Sequence, residues 1–349
     1  MNAFDKYYYR KHDVSSNNCM NKKSSISSVI YEYINTVTYA RSANTGRTYH
    51  NALKSFSNML RDHHFTPDMD PISALPEDAV PWFIASLKEY SPTTERLYLT
   101  AMAGFYEFLS AERLCEINLP RLRLLIRQRA RKPGQRLPQF PYSKIELMLE
   151  NANNIALREE DDPAIRLINL RDRAFLFTLA DTGLRVHEAC ALRRGEVDWN
   201  EGRALIIGKG NQQAIIRFSK RSLGAMKDYL TERASLDGAS GRTLASLPLF
   251  ARHDRGAGKK IKSITTTTGR NIVAQRVKQT LGSEAVGSIT PHSFRHYFVT
   301  VVLRGSGNLK LAQELARHKN ISVTQRYAHL SDDELDKGYY DIFEGKKPG

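Results

Sequence analysis

Cysteine is scarce in this chain and badly placed for cross-linking. Cys19, Cys115 and Cys190 are its three cysteines. They are odd in number, far apart and without ligand spacing. That argues against a disulfide framework or a cysteine zinc site and fits a reducing, cytoplasmic compartment. Cys190, between Ala189 and Ala191, reads as core packing. No apolar run approaches the length of a membrane span, so no membrane partner is expected. The N-terminus lacks the secretory pattern, and no internal repeat is visible. Acid is in deficit: 37 Asp and Glu against 52 Lys and Arg, a formal charge of +15. The imbalance points to a polyanionic partner, nucleic acid before others.

At 349 residues the chain has room for two domains. Residues 1–24 are polar and rich in Tyr, Ser and Asn, and read as a mobile tail. From about residue 25 to 130 the pattern is helical. Ile26, Val29, Ile30, Tyr33, Ile34 and Val37 recur at three-and-four spacing, and a second stripe runs Tyr49, Leu53, Phe56, Met59, Leu60. Pro76 and Glu77 are expected to open a third helix carrying Val80, Phe83, Ile84 and Leu87. Ser91 and Pro92 supply the cap and first residue of a fourth, which continues through Leu97, Met102, Phe105, Tyr106, Phe108 and Leu109.

Between Ile117 and Ile145 stand eight basic residues and no acid. Arg121, Arg123, Arg127, Arg129, Arg131, Lys132 and Arg136 lead the run, and Lys144 ends it. Pro133, Gly134, Pro138 and Pro141 break its second part, so 131–142 reads as a linker preceded by a basic helix. Like charges without counter-charge repel unless an anion neutralises them. This run is therefore expected to lie across a phosphate backbone.

From 143 to 330 the pattern is mixed: mainly α with a small β-sheet, an α+β second domain. Leu167 to Ala180 is helical, and Gly183 supplies a left-handed stop. Residues 204–207 and 214–218 read as strands around Gly208-Lys209-Gly210-Asn211. Residues 235–265 read largely as loop. Helices resume near Ser222, Gly269, Pro291 and Leu309.

The chemistry concentrates in this half. Thr290-Pro291 is a helix start, which puts His292 in the first turn and Arg295 three residues on, on the same face. A helix N-terminus already favours phosphate, and an arginine there binds two of its oxygens. Ser322-Val323-Thr324-Gln325 has the capping-box form and would launch a helix carrying Tyr327. A phenol titrates near 10, so it needs neighbouring positive charge to act as a nucleophile. Arg185, Arg295 and His318 would supply it. Fixed cations aimed at the phosphate are commonly the largest catalytic contribution, and Lys209 in a hairpin turn suits protonation of a leaving oxygen. Lys220, Lys259 and Lys260 are its rivals. Arg193 and Arg194 are expected to meet phosphate or solvent. The His292–His296 spacing would suit a metal, but no glutamate or third ligand accompanies it, so no metal or other cofactor is expected.

These residues resemble the tyrosine site-specific recombinases, the phage integrase-like family, in its two-domain Cre- or Xer-like form. The family's motifs are matched in order by Arg185 in Thr182-Gly183-Leu184-Arg185, then Lys209, His292 and Arg295, then His318, with Tyr327 nine residues later. Glu188 matches an acidic position common in the family and is expected to orient Arg185. The motifs cover about 143–330; residues 25–130 resemble the family's helical core-binding domain by architecture. Two departures stand out: Arg317 where glycine is usual before the second histidine, and Tyr297 where Thr or Ser is common.

The resemblance implies a C-shaped clamp on DNA. It implies a metal- and ATP-independent strand transferase forming a 3′-phosphotyrosine through Tyr327. Paired inverted-repeat core sites would be exchanged through a Holliday junction by a homotetramer, with a monomer or dimer at each binding site. A second recombinase or accessory factor fits the same pattern. The setting would be a bacterial or archaeal nucleoid, and the source a mobile element or replicon. Residues 331–349, with Leu335, Tyr339, Tyr340, Ile342 and Phe343, are expected to dock on a neighbouring protomer. About 25 residues precede the first helical domain, too few for a further arm-binding domain. Two rivals stay open: a type IB topoisomerase-like relaxing enzyme and a non-cleaving DNA-binding protein.

Overall fold

The computed structural model describes residues 22–76, 78–131, 141–208, 213–254 and 260–318. The chain divides between Arg136 and Leu137 into two compact units.

Unit 1 is helical: α1 Ile26–Ala40, α2 Ala43–Asp62, α3 Ala79–Ser86, α4 Pro92–Ala111 and α5 Leu119–Arg129. Serines cap three of these. Ser25, Ser42 and Ser91 each accept the backbone N–H three residues on, at 3.3, 3.3 and 3.2 Å. The α1 and α2 stripes face inward, and Phe56, Phe83 and Phe105 are fully buried. Phe56 and Phe83 meet edge to face at 5.2 Å.

Two expectations shift. The third helix starts at Ala79 because Pro76 is spent on a turn, its carbonyl accepting from Ala79 N at 3.1 Å. Leu87 falls in a 3₁₀ turn, Leu87–Glu89, beyond its end. Leu97 is 45% exposed, and α4 buries Leu99 and Ala101 instead.

Unit 2 contains α6 Tyr142–Leu157, α7 Pro163–Thr182, α8 Val186–Ala191, β1 Val197–Asp198, β2 Arg203–Ile207, β3 Gln213–Arg217, α9 Lys220–Glu232, α10 Ala234–Gly238, α11 Thr266–Leu281, α12 Pro291–Ser306 and α13 Leu309–Ala316. The sheet is antiparallel in the order β1-β2-β3, with Leu205 opposite Ile215. The two-residue β1 is too short to read from periodicity. Helix α7 is the hub, buried nearly all round from Leu167 to Thr182 and packed against α6, α9 and α12.

Part of the segment expected as loop is core. Leu247, Leu249, Phe250 and Ala251 are fully buried. Their irregular backbone is satisfied by Arg233, itself fully buried, which donates to the carbonyls of Pro248 and Leu249 at 2.9 and 3.0 Å and pairs with Asp237 at 2.9 Å. Arg194, expected at phosphate or solvent, instead pairs with the buried Asp237. A guanidinium has enough donors to tie down a stretch that lacks a ladder of its own.

Candidate active site

Three chain segments meet here. The first is the end of α7. Gly183 has φ +60°, and a Cβ there would lie 2.5 Å from the Phe298 ring. The turn it makes sets Arg185 as N-cap of α8. The backbone N–H of Arg185 donates to Glu188 Oε2 at 2.9 Å, and its Nη1 donates to Oε1 at 3.0 Å. The Glu188 side chain is 1% exposed and that of Arg185 39%. Nε and Nη2 of Arg185 have no partner among the described residues.

The second segment is the start of α12, where Pro291 is the first helical residue, as expected from the sequence. His292 lies at the exposed end of the turn, and its ring meets His296 edge to face with centroids 4.2 Å apart. Among the described residues no third metal-ligating side chain joins them. Arg295 is 2% exposed. Its Nη1 donates to the Gly183 carbonyl, its Nη2 to the Ala316 carbonyl, and its Nε to His318 Nε2 at 3.2 Å. One guanidinium thus holds all three segments together. Tyr297, the second departure, is buried against Tyr142 with centroids 5.0 Å apart, and its hydroxyl reaches Glu146 at 3.4 Å.

The third segment follows α13. Arg317 takes the left-handed conformation, φ +57° and ψ +45°, as the C-cap. For an L-residue this costs about 1 kcal/mol. His318 N donates to Gln313 O at 3.0 Å, and Gln313 Nε2 returns a bond to His318 O at 3.0 Å. Arg317 Nη2 donates to Glu188 Oε2 at 2.9 Å. Sequence reasoning missed the roles of Arg317 and Gln313. The arginine in a glycine position was the visible signal, but nothing local named Glu188 as its partner.

The electrostatics follow from these contacts. Burial pushes the Glu188 carboxyl up, but the Arg185 N–H and the charges of Arg317 and Arg185 outweigh it and hold it below the usual range. His318 is pushed down to about 4 by burial and by Arg295 and Arg185. His296 also falls to about 4, through burial and then His292 and His318. His292 is lowered by partial desolvation and by Arg295 and Arg185. His318 is therefore neutral near pH 7. Because its Nε2 accepts from Arg295, the neutral ring carries its proton on Nδ1.

Lys209 and Tyr327 lie outside the described residues, as do Lys259, the Ser322 capping box and the tail beyond it. In unit 1, Asn118 Oδ1 accepts from Arg121 N at 2.9 Å to cap α5, and Arg123 pairs with Glu107 at 2.7 Å. Arg131, expected on phosphate, has its side chain committed to Glu95 and to the carbonyls of Leu87 and Tyr90. Acids on α4 thus supply counter-charge that the 117–145 run lacks. Arg127 and Arg129 stand in the last turn of α5. Lys132 and Arg136 lie outside the described residues.

Residues 144–334 match the phage integrase family. The tyrosine recombinase XerD of Mycobacterium tuberculosis (strain CDC 1551 / Oshkosh) is 27% identical over 307 residues, 84% of this chain and 90% of that protein. The tyrosine recombinase XerC of Bacillus subtilis (strain 168) is 31% identical over 242 residues, 69% of this chain and 71% of its own. The fold is similar to that of the site-specific recombinase XerH bound to palindromic difH substrate, with a TM-score of 0.64, 17% identity and coverage of 93% and 92% of the two chains. The helical unit and the mainly α second unit with its small sheet are the architecture of that fold. With more than half its length inside the family match and a relative 31% identical over 69% of it, this chain belongs to the phage integrase family, the tyrosine recombinases.

Proposed function

We propose that this enzyme is a site-specific recombinase that breaks and rejoins DNA through Tyr327. The observation that carries the reading is the gathering of Arg185, His292, Arg295 and His318, with both arginines close enough to lower the two histidines and with Nε and Nη2 of the half-exposed Arg185 unbonded among the described residues. Such a cluster neutralises a phosphodiester as charge builds on its oxygens.

In this scheme the Tyr327 oxygen forms a bond to phosphorus and the 5′-oxygen leaves, giving a 3′-phosphotyrosine. Arg185 binds the non-bridging oxygens, and Arg295 adds charge while fixing His318. The His318 Nδ1–H donates to the phosphoryl group. His292, neutral at pH 7, accepts the phenolic proton. Lys209 protonates the 5′-oxygen. The covalent link conserves the bond energy, so a partner strand's 5′-hydroxyl reverses the step. Two rounds between inverted-repeat core sites pass through a Holliday junction in a tetramer. Arg121, Arg123, Arg127, Arg129, Lys132 and Arg136 are proposed to lie along the DNA backbone, with Arg131 mainly structural. The domain limits 25–130 and 143–330, and docking of the C-terminal tail on a neighbour, belong to the same proposal.

Covalent trapping tests it. Duplexes nicked near inverted repeats flanking the gene are incubated with wild type and Tyr327→Phe in chelator. A denaturation-resistant adduct from wild type alone is expected. An adduct from Tyr327→Phe would move the nucleophile to Tyr339 or Tyr340. No adduct on any such DNA would favour the non-cleaving reading. Relaxation of a plasmid lacking any specific site would favour the topoisomerase-like one.

A further inference from the structure

We infer that Arg317 is a positioning residue of this active site: through Glu188 it sets the orientation and the effective charge of Arg185. The inference rests on the recombinase reading.

Two costs mark the arginine. Its backbone is left-handed, at φ +57°. Its Nε is buried without an acceptor among the described residues. Glycine would remove both at no steric expense, and a loop needing only closure would be best served by it. The arginine instead reaches across to Glu188 Oε2 at 2.9 Å. That oxygen already accepts the Arg185 backbone N–H, and Oε1 accepts Arg185 Nη1.

The result is one buried carboxylate between two guanidiniums. Paired with Arg185 alone, Glu188 would cancel most of the charge that arginine offers to a phosphate. Shared between two cations it cancels less, and the trio keeps a net positive charge. The second guanidinium also pins the carboxylate, so the bidentate contact with Arg185 holds one geometry. Because Arg317 precedes His318, the same ion pair locks the histidine loop to the Arg185 turn. Arg317 therefore acts on the phosphate's partners rather than on the phosphate.

Arg317→Gly and Arg317→Lys separate positioning from loop closure. In Arg317→Gly the relief of backbone strain offsets part of the lost ion pair with Glu188, so the variant is expected to stay folded. In protein labelled at arginine nitrogen, wild type should give a sharp, slowly rotating Arg185 side-chain resonance that broadens in Arg317→Gly and partly recovers in Arg317→Lys. In single-turnover cleavage of the nicked duplex, Arg317→Gly should lose about tenfold in rate at saturating protein, with DNA affinity little changed. Arg317→Lys should regain part of it. An unaltered Arg185 resonance, or wild-type cleavage by Arg317→Gly, overturns the inference. The resonance is read without DNA. A wild type that cleaves nothing therefore defeats the recombinase reading, while the spectra still decide the role of Arg317.

Discussion

Both units bury a glutamate between two cations, Glu95 in unit 1 and Glu188 in unit 2, and the two are used oppositely. In unit 1, Glu95 is fully buried, with Lys88 Nζ at 2.7 Å and the Arg131 N–H at 3.0 Å. The Arg131 guanidinium pairs with the same carboxylate and spends its remaining bonds on backbone carbonyls. In unit 2, Glu188 takes the Arg185 N–H and two guanidiniums, yet Nε and Nη2 of the 39% exposed Arg185 side chain have no partner among the described residues. The first arrangement stitches the end of α5 to α4. The second orients an arginine through its backbone N–H and one guanidinium nitrogen only. The cost of removing each acid should therefore appear in different measurements.

The largest effect is expected from Glu188→Gln. Loss of the charge that orients Arg185 should slow single-turnover cleavage about 100-fold, roughly 2.7 kcal/mol, with DNA affinity little changed. Cleavage within threefold of wild type would dissolve the contrast. Glu95→Gln should cost about 2 kcal/mol in denaturant unfolding of unit 1, since two partly exposed cations lose a buried acceptor. The rate of cleavage within the bound complex should stay put. A slower chemical step in that variant would mean the two acids are not so differently employed.

Acid sharpens the same comparison more gently. Folding holds Glu95 down at about 2, against 4.5 when free, because the Lys88 and Arg131 bonds outweigh the burial that raises it. Its contribution is present above 4.5 and lost as the pH falls towards 2. His296 and His318 titrate near 4 in the fold against 6.5 when free. A histidine with a lowered folded value favours the fold fully above 6.5, and that advantage is lost as the pH falls from 6.5 to 4. Unit 2 should thus weaken in milder acid than unit 1. A melting scan from pH 8 to 4 checks this, and replacing both histidines with asparagine should flatten its upper part.

Much of this was legible beforehand because it rests on local rules. The Ser91 cap, the Pro92 and Pro291 helix starts and the Gly183 stop each follow from one residue's backbone preference. The apolar stripes of α1 and α2 follow from period alone. What escaped depends on distant partners. Arg131 looked like a free cation because Glu95 lies 36 positions earlier. Leu247 to Ala251 looked like loop because the arginine that satisfies their carbonyls belongs to α9's C-cap. Arg317 looked like a departure from pattern because Glu188 lies 129 positions away. Motif order brought Arg185, His292, Arg295 and His318 into view, but the bonds that aim them cannot be read from spacing.

Cys190 is the only cysteine after residue 137. It is 4% exposed and packed under α11, and burial pushes its thiol up to about 12. So little thiolate exists at neutral pH that alkylating and oxidising reagents should pass it by. Unit 2 therefore comes ready for site-directed labelling: one cysteine introduced on its surface can carry a fluorophore or cross-linker without competition from its own.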